Sequence, residues 1–235
     1  MSTILTRTLI VTTALSVLVP AGAVAHRYEV ARDHDERASA VSAMDALYTD
    51  AEQARVDQWR ATTDGLRERA LEVAEGDGLP APTSADPAEI VAETMLTLDP
   101  AGVIDVRWDC EDVGGDIVGI VHQDDPTWLC LSTSLLASLP AEEIQETVAH
   151  EYAHLVQAWT WTDDDGSVQV AEQVKALDAE VGTTTAFGDQ ERGGVEIQAD
   201  CLADLLGAKA GHSYAPEGCS PAAEASAWRV LNGER

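Results

Sequence analysis

The sequence predicts an α+β protein that is mainly helical and contains a small antiparallel sheet. Apolar residues recur at helical spacing through most of the chain. Three short β-prone runs, separated by turn residues, interrupt this pattern in the middle. The chain has 235 residues, of which 45% are hydrophobic. This is enough for one sizeable core, or for a core with a helical appendage.

The charge balance excludes some classes of partner. The chain carries 42 acidic and 14 basic residues, for a formal net charge of −28. Nucleic acids and anionic membrane surfaces would repel such a protein. We therefore expect neither to be a partner.

The N-terminus has the pattern of a secretory signal peptide, which we place at residues 1–25. Arg7 precedes an apolar run, Leu9 to Val19, that is too short to span a membrane comfortably. Ala23-Val24-Ala25 supplies the small-x-small pattern of a cleavage site directly afterwards. The sequence thus predicts a secreted, extracellular protein with no membrane span after signal removal. The alternative is a protein anchored in the membrane by an uncleaved N-terminal segment.

The cysteines predict two disulfide bonds. An exported chain meets oxidising conditions, and Cys110, Cys130, Cys201 and Cys219 form an even set. Three pairings are possible, and we favour Cys110–Cys130 and Cys201–Cys219 because each pair brackets a short segment. The cysteines lack the paired C-x-x-C spacing of a metal site, so we do not expect them to bind a metal.

Composition divides the remaining chain into three parts. Residues 26–75 are rich in Ala, Glu, Asp and Arg and predict one long helix, or two helices joined near Gly65. Residues 76–87 contain glycines and three prolines, as a linker does. Residues 88–235 then form the domain that carries the candidate site.

That domain begins with a helix from Ala88 to Leu98, for which Asp86 is a suitable N-cap. The three strand-like runs follow. They are Val103 to Trp108, Ile117 to Val121, and Thr127 to Leu131.

The rest of the domain is predicted to be helical. A glycine-rich loop at residues 182–194 separates two of the helices. The predicted helices are Ser132 to Leu139, Ala141 to Trp161, Val168 to Val181, Val195 to Lys209, and Ala222 to Leu231.

The segment His150-Glu151-Tyr152-Ala153-His154 is typical of a catalytic zinc site. Two histidines four residues apart lie on one helix face, so both imidazoles can reach one Zn²⁺ ion. Glu151 can take a proton from zinc-bound water and act as the general base.

A third zinc ligand is expected from the next helical segment. Glu196 and Asp200 are four residues apart and share a helix face. Glu196 would bind the metal, and Asp200 would accept the second ring N–H of one histidine. Other carboxylates after His154, such as Glu172, Glu180 and Glu191, could take the role of Glu196.

Two separated motifs resemble the bacterial neutral zinc metallopeptidase family. His150 to Gln157 is similar to its His-Glu-x-Gly-His-x-x-Gln helix, and Glu196 to Cys201 to its Glu-Leu-Gln-Ala-Asp-Cys segment. Trp128 to Leu136 is similar to the strand and turn before that helix. Ala153 and Asp204 stand where the family has Gly. The resemblance implies a zincin-like core in 88–235, a glutamate third ligand and peptidase activity.

The expected reaction is therefore zinc-dependent hydrolysis of a peptide or protein substrate. His212 and Tyr214 follow the Glu196 helix and are candidates for stabilising the developing oxyanion, with a weaker claim for His122. Two other functions stay open. One is an exported zinc-binding or interaction protein without peptidase activity. The other is a metal-dependent hydrolase of a non-protein amide or ester.

Overall fold

The computed structural model describes residues 50, 53–111, 113–115, 117–122, 125–162, 170–183, 193–208, 215 and 218–234. By their internal contacts, residues 54–235 belong to one unit and residues 1–53 to another. The predicted secretory signal at 1–25 lies outside the described residues.

Helices dominate the described part, as the apolar periodicity predicted. They are α1 at 53–75, α2 at Pro87–Leu98, α3 at Thr133–Leu136, α4 at Ala141–Thr160, α5 at Val170–Val181, α6 at Gly194–Leu205 and α7 at Pro221–Leu231. The strands are β1 at Asp105–Trp108, β2 at Gly119–Val121 and β3 at Trp128–Leu131. The mainly helical α+β class is thus confirmed.

Helix α1 packs into the same core as the helices that follow it. It runs through Gly65 without a break, which decides between one helix and two for residues 53–75. Leu66, Ala70 and Val73 are buried in the main hydrophobic cluster. The sequence placed this segment apart from the domain at 88–235, whereas residues 54–75 share its unit.

The predicted linker at 76–87 is packed against the later helices. The backbone N–H of Leu79 donates to the carbonyl of Leu206 at 2.7 Å. Gly78 and Gly207 both have positive φ angles, and a Cβ added at Gly207 would lie 2.8 Å from the Leu79 nitrogen. Glycine permits this close approach. Turn-forming composition therefore marked a tight connection that is anchored to the core at the buried Leu79.

Two helices are shorter than predicted. The run from Ser132 to Leu139 is helical only in α3, where the Ser132 side chain caps the N-terminus. Helix α6 ends at Leu205, before the predicted end at residue 209. Gly207, with φ of +94°, follows in the left-handed conformation that commonly ends helices.

The sheet is mixed, so the expectation of an antiparallel sheet is wrong. Its strand order is β1-β3-β2. Strand β2 pairs antiparallel with β3, but β1 pairs parallel with β3, with Asp105 opposite Trp128. Strand β3 is central, with β1 on one edge and β2 on the other. Apolar alternation is the same in both kinds of pairing and does not distinguish them.

Helix α4 forms the centre of the fold. Acidic residues Glu142 and Glu143 lie in its first turn, where they complement the helix dipole. Between Ile144 and Thr160 every residue except Thr147 is buried. Helices α2, α6 and α7 and strand β2 all contact α4. This enclosure buries the polar motif side chains along with the apolar ones.

Both favoured disulfides are present. Cys110–Cys130 joins the end of β1 to β3, with its Cα atoms 6.3 Å apart. Cys201–Cys219 joins α6 to the segment before α7, with its Cα atoms 5.5 Å apart. Disulfide bonds of this kind fit an extracellular protein. Within the described ranges, no helix has the length and apolarity needed to cross a membrane.

Replacing Tyr152 by Phe is expected to destabilise this core. The buried Tyr152 hydroxyl lies 3.1 Å from the carbonyl of Leu66 in α1 and 3.3 Å from that of Leu98 in α2. Losing this donor should lower the free energy of unfolding by about 1–3 kcal/mol. Urea denaturation of the two proteins measures the difference. Equal unfolding free energies would show that the hydroxyl does not link the three helices.

Candidate metal centre

Two histidines of α4 and one glutamate of α6 form the centre. His150 and His154 are separated by one helical turn, and their rings meet edge to face with centroids 4.7 Å apart. Helix α6 packs beside α4 and brings Glu196 to them. Among the described residues, these three side chains form the one group of His, Cys, Asp and Glu that could hold a metal ion.

The three donor atoms converge closely. The Nε2 atoms of His150 and His154 are 3.1 Å apart. Glu196 Oε2 lies 3.2 Å from the first and 3.3 Å from the second. The histidine side chains are 10% and 11% exposed, whereas that of Glu196 is 25% exposed. The group is therefore enclosed on the histidine side and open to solvent beside Glu196.

Asp200 determines which ring nitrogen of His150 carries the proton. Its Oδ1 lies 2.8 Å from His150 Nδ1, and a carboxylate oxygen accepts. Its other oxygen accepts the backbone N–H of Ala215 at 3.0 Å. Because His150 Nδ1–H donates to Asp200, the Nε2 atom of the neutral ring presents a lone pair to the centre.

Gln157 supports the ring of His154 as Asp200 supports that of His150, a role that the sequence did not predict. Its Oε1 lies 2.8 Å from His154 Nδ1, so that nitrogen donates and Nε2 again presents a lone pair. Gln157 occurs in the motif, three residues after His154, and is fully buried. Its place in the motif, three residues after His154 and so on the same helix face, was the available signal.

These distances fit a bound metal ion. Two donors each about 2.0–2.1 Å from a tetrahedral ion lie about 3.3 Å from each other. The three distances at this centre, 3.1 to 3.3 Å, are close to that value. Two lone pairs and a carboxylate this close repel one another unless a proton or a metal ion lies among them.

The pKa values of His150 and Glu196 are shifted by their hydrogen bonds within the centre. Burial lowers the pKa of His150, but hydrogen bonds to Asp200 and Glu196 outweigh it and raise the pKa to about 10. Burial raises the pKa of Glu196, yet its hydrogen bonds to the two histidines leave it well below the ordinary value. The centre therefore favours positive charge.

No known protein family, curated protein or solved structure matches this chain. The centre is accordingly interpreted from its own geometry and donor chemistry.

Glu151 lies next to this group without belonging to it. Its side chain is 7% exposed, and burial raises its pKa against the opposing effect of His150 and His154. Strand β2 covers it closely, because a Cβ added at Gly119 would lie 2.6 Å from Glu151 Cγ and Oε1. A buried carboxylate beside a cation site is a candidate proton acceptor.

The structure separates the other predicted carboxylates from the centre. Glu180 forms an ion pair with Arg229, and Glu172 is exposed on α5. Glu191 lies outside the described residues.

The candidates for stabilising an oxyanion have different outcomes. His212 and Tyr214 lie outside the described residues, so their role stays a prediction. The ring of His122 packs at a tilt of 39° against that of Trp128, with centroids 4.8 Å apart, and His122 does not belong to the metal-binding group.

Proposed function

We propose that this protein is a secreted zinc-dependent metallopeptidase with His150, His154 and Glu196 as the zinc ligands. The observation that carries the proposal is the convergence of three oriented donors beside a buried carboxylate, Glu151, that is not one of them. Binding a metal requires only the three donors. A neighbouring proton acceptor is what a hydrolase adds to them.

The donor set favours zinc among the common metal ions. Two imidazoles and one carboxylate are typical of catalytic zinc in peptidases, with one coordination position left open. Calcium and magnesium prefer oxygen ligands, which are too few here. The partial exposure of Glu196 leaves a side from which a substrate can enter.

The chain's own residues account for the proton movements. When bound, zinc supplies Lewis-acid chemistry, which lowers the pKa of water and polarises a carbonyl group. The Glu151 carboxylate accepts a proton from the water whose oxygen attacks the scissile carbonyl carbon. It then gives this proton to the amide nitrogen as the C–N bond breaks. Asp200 and Gln157 hold the histidine rings throughout.

The proposed location and partners follow from charge and disulfides. Removal of residues 1–25 would release a protein with two disulfides into an oxidising compartment. The net charge of −28 disfavours nucleic acid as a partner. The proposed substrate is a peptide or protein. The similarity of the chain's two motifs to those of the neutral zinc metallopeptidases supports a peptide substrate rather than another amide or an ester.

The experiment that tests the function combines zinc content with cleavage of a mixed peptide library. The purified protein should contain about one zinc per chain and cleave peptides. Treatment with a chelator should abolish cleavage, and added zinc should restore it. Cleavage that persists in metal-free protein contradicts the proposal. Zinc binding without cleavage of any peptide or protein would instead favour a binding protein, or a hydrolase of a different amide or ester.

Replacing Gly119 by Ala is expected to lower kcat by about 10–100-fold, because the added Cβ would displace the Glu151 side chain. Zinc content should not change, since the three atoms nearest to that Cβ all belong to Glu151, which is not one of the ligands. Gly65→Ala is the matched control, because a Cβ there meets nothing within 4 Å. Equal kcat values for the two variants would show that the contact with β2 does not position Glu151.

A further inference from the structure

We propose that Gln157 positions two of the three metal ligands at once. It sets the ring tautomer of His154, and it holds α6 so that Glu196 reaches the centre. The inference rests on the proposed zinc site, because it concerns ligands of that ion. It goes further by assigning the geometry of the centre to a residue that does not touch the metal.

The orientation of the Gln157 amide is determined by an unambiguous partner. Its Nε2 lies 2.9 Å from the backbone carbonyl oxygen of Val195, which can only accept a hydrogen bond. The amide nitrogen must therefore face Val195, and Oε1 must face the other way. The side chain is fully buried, so water does not compete for either end.

The consequence for His154 is a single ring tautomer. Gln157 Oε1 accepts from Nδ1–H of His154 at 2.8 Å, which leaves Nε2 as the metal donor. If the amide were reversed, its nitrogen would face Nδ1 and favour a proton on Nε2. The hydrogen bond to Val195 is thus what keeps the metal-binding nitrogen free of a proton.

The consequence for Glu196 is a fixed position of α6. Gln157 Nε2 also donates to Gln198 Oε1 at 2.9 Å, so it contacts residues on both sides of Glu196. Gln198 in turn donates to the hydroxyl of Ser226 in α7. One amide therefore links α4 to α6, and α7 supports the link from behind.

His150 provides an internal reference because it has a different support. Its Nδ1–H donates to Asp200, which lies on α6 and does not contact Gln157 in any described hydrogen bond. Loss of the Gln157 amide should therefore remove the acceptor for the ring N–H of His154, whereas the acceptor for His150, Asp200, remains and is also held by the backbone N–H of Ala215. A general loss of stability would affect both rings alike.

The test compares Gln157→Met, Gln157→Glu and the matched control Gln145→Met. Gln145 is also a buried glutamine of α4, and its amide donates to the carbonyl of Pro80, in the segment that precedes α2. Zinc affinity is measured by competition with a chromophoric chelator at constant pH. Long-range ¹H–¹⁵N spectra of the zinc-loaded proteins report the tautomer of each imidazole.

We expect Gln157→Met to bind zinc about 10–100-fold more weakly than the parent. It should also lose the slowly exchanging Nδ1–H signal of His154 and keep that of His150. Gln157→Glu keeps an acceptor for His154 but no donor for Val195 or Gln198. It should therefore keep both ring signals and still bind zinc more weakly. Gln145→Met should bind zinc as the parent does.

The proposal is overturned if Gln157→Met binds zinc as tightly as Gln145→Met, or if both ring N–H signals persist in it. It is overturned equally if the parent binds no zinc. The proposed peptidase function fails separately, if zinc-loaded parent protein cleaves no peptide. The zinc affinities of the variants are measured without a substrate. The role of Gln157 is therefore tested even if the protein cleaves no peptide.

Discussion

Replacing Glu151 by Gln is expected to lower kcat for peptide cleavage by about 10²–10⁴-fold, the range over which a general base contributes. The amide matches the carboxylate in size but cannot take the proton of the attacking water. Zinc content should stay at the parental level, because Glu151 is not among the three convergent donors.

Stability should move in the opposite direction from activity. Burial raises the pKa of Glu151, which means that enclosing its charged form costs free energy. A neutral amide at this position removes that cost, so the variant should unfold at an equal or higher temperature than the parent when both proteins are free of metal. Lower activity with unchanged or increased stability is typical of a residue retained for catalysis.

Glu146→Gln is the matched control. Glu146 lies on the same helix and is 8% exposed, close to the 7% of Glu151. Five residues of separation rotate it by about 140° around the helix axis, away from the histidine face. Its variant should retain parental kcat. Comparable losses in both variants would show that any buried carboxylate of α4 matters, and would remove the assignment of Glu151 as the base.

Replacing Glu196 by Ala is expected to weaken zinc binding by at least about 100-fold. Losing a hydrogen-bond partner of a ligand lowers zinc affinity by roughly 10–100-fold, and losing the ligand itself should lower it further. The two histidines would remain, with their Nε2 atoms 3.1 Å apart, but the only anionic donor of the group would be gone. Competition with a chelator measures the change, and cleavage should be lost in parallel.

Zinc should also stabilise the two proteins differently. A ligand that binds only the folded state raises its stability by RT ln(1 + [L]/Kd), so weaker binding gives a smaller increase in Tm. Glu172→Ala, at an exposed position of α5 that the sequence offered as an alternative ligand, should behave as the parent does. Parental zinc affinity in Glu196→Ala would mean that another group supplies the third donor.

Much of the centre could be predicted because its parts are local. His150 and His154 are one helical turn apart, and so are Glu196 and Asp200, so sequence spacing alone placed each pair on one helix face. The same reasoning predicted the disulfide pairs, since each brackets about twenty residues or fewer. Helical periodicity likewise located α2, α4 and α7 within a residue or two of their observed bounds.

Other features depend on contacts between distant segments. The parallel pairing of β1 with β3 could not be read from alternation, which is the same for both strand directions. The packing of residues 76–87 against Gly207 joins segments more than a hundred residues apart. The glycines and prolines there predicted a turn correctly, but not that Leu79 within it would be buried in the same unit as the site.

Local sequence is enough to specify the helices and which chemically active side chains each helix presents, because side chains three or four residues apart share a face whatever surrounds them. How those faces meet depends on tertiary packing. It brought Glu196 within 3.3 Å of both histidines, oriented the Gln157 amide through Val195, and enclosed Glu151 beneath Gly119. Each of these contacts joins separate elements, and its geometry depends on how they pack around α4.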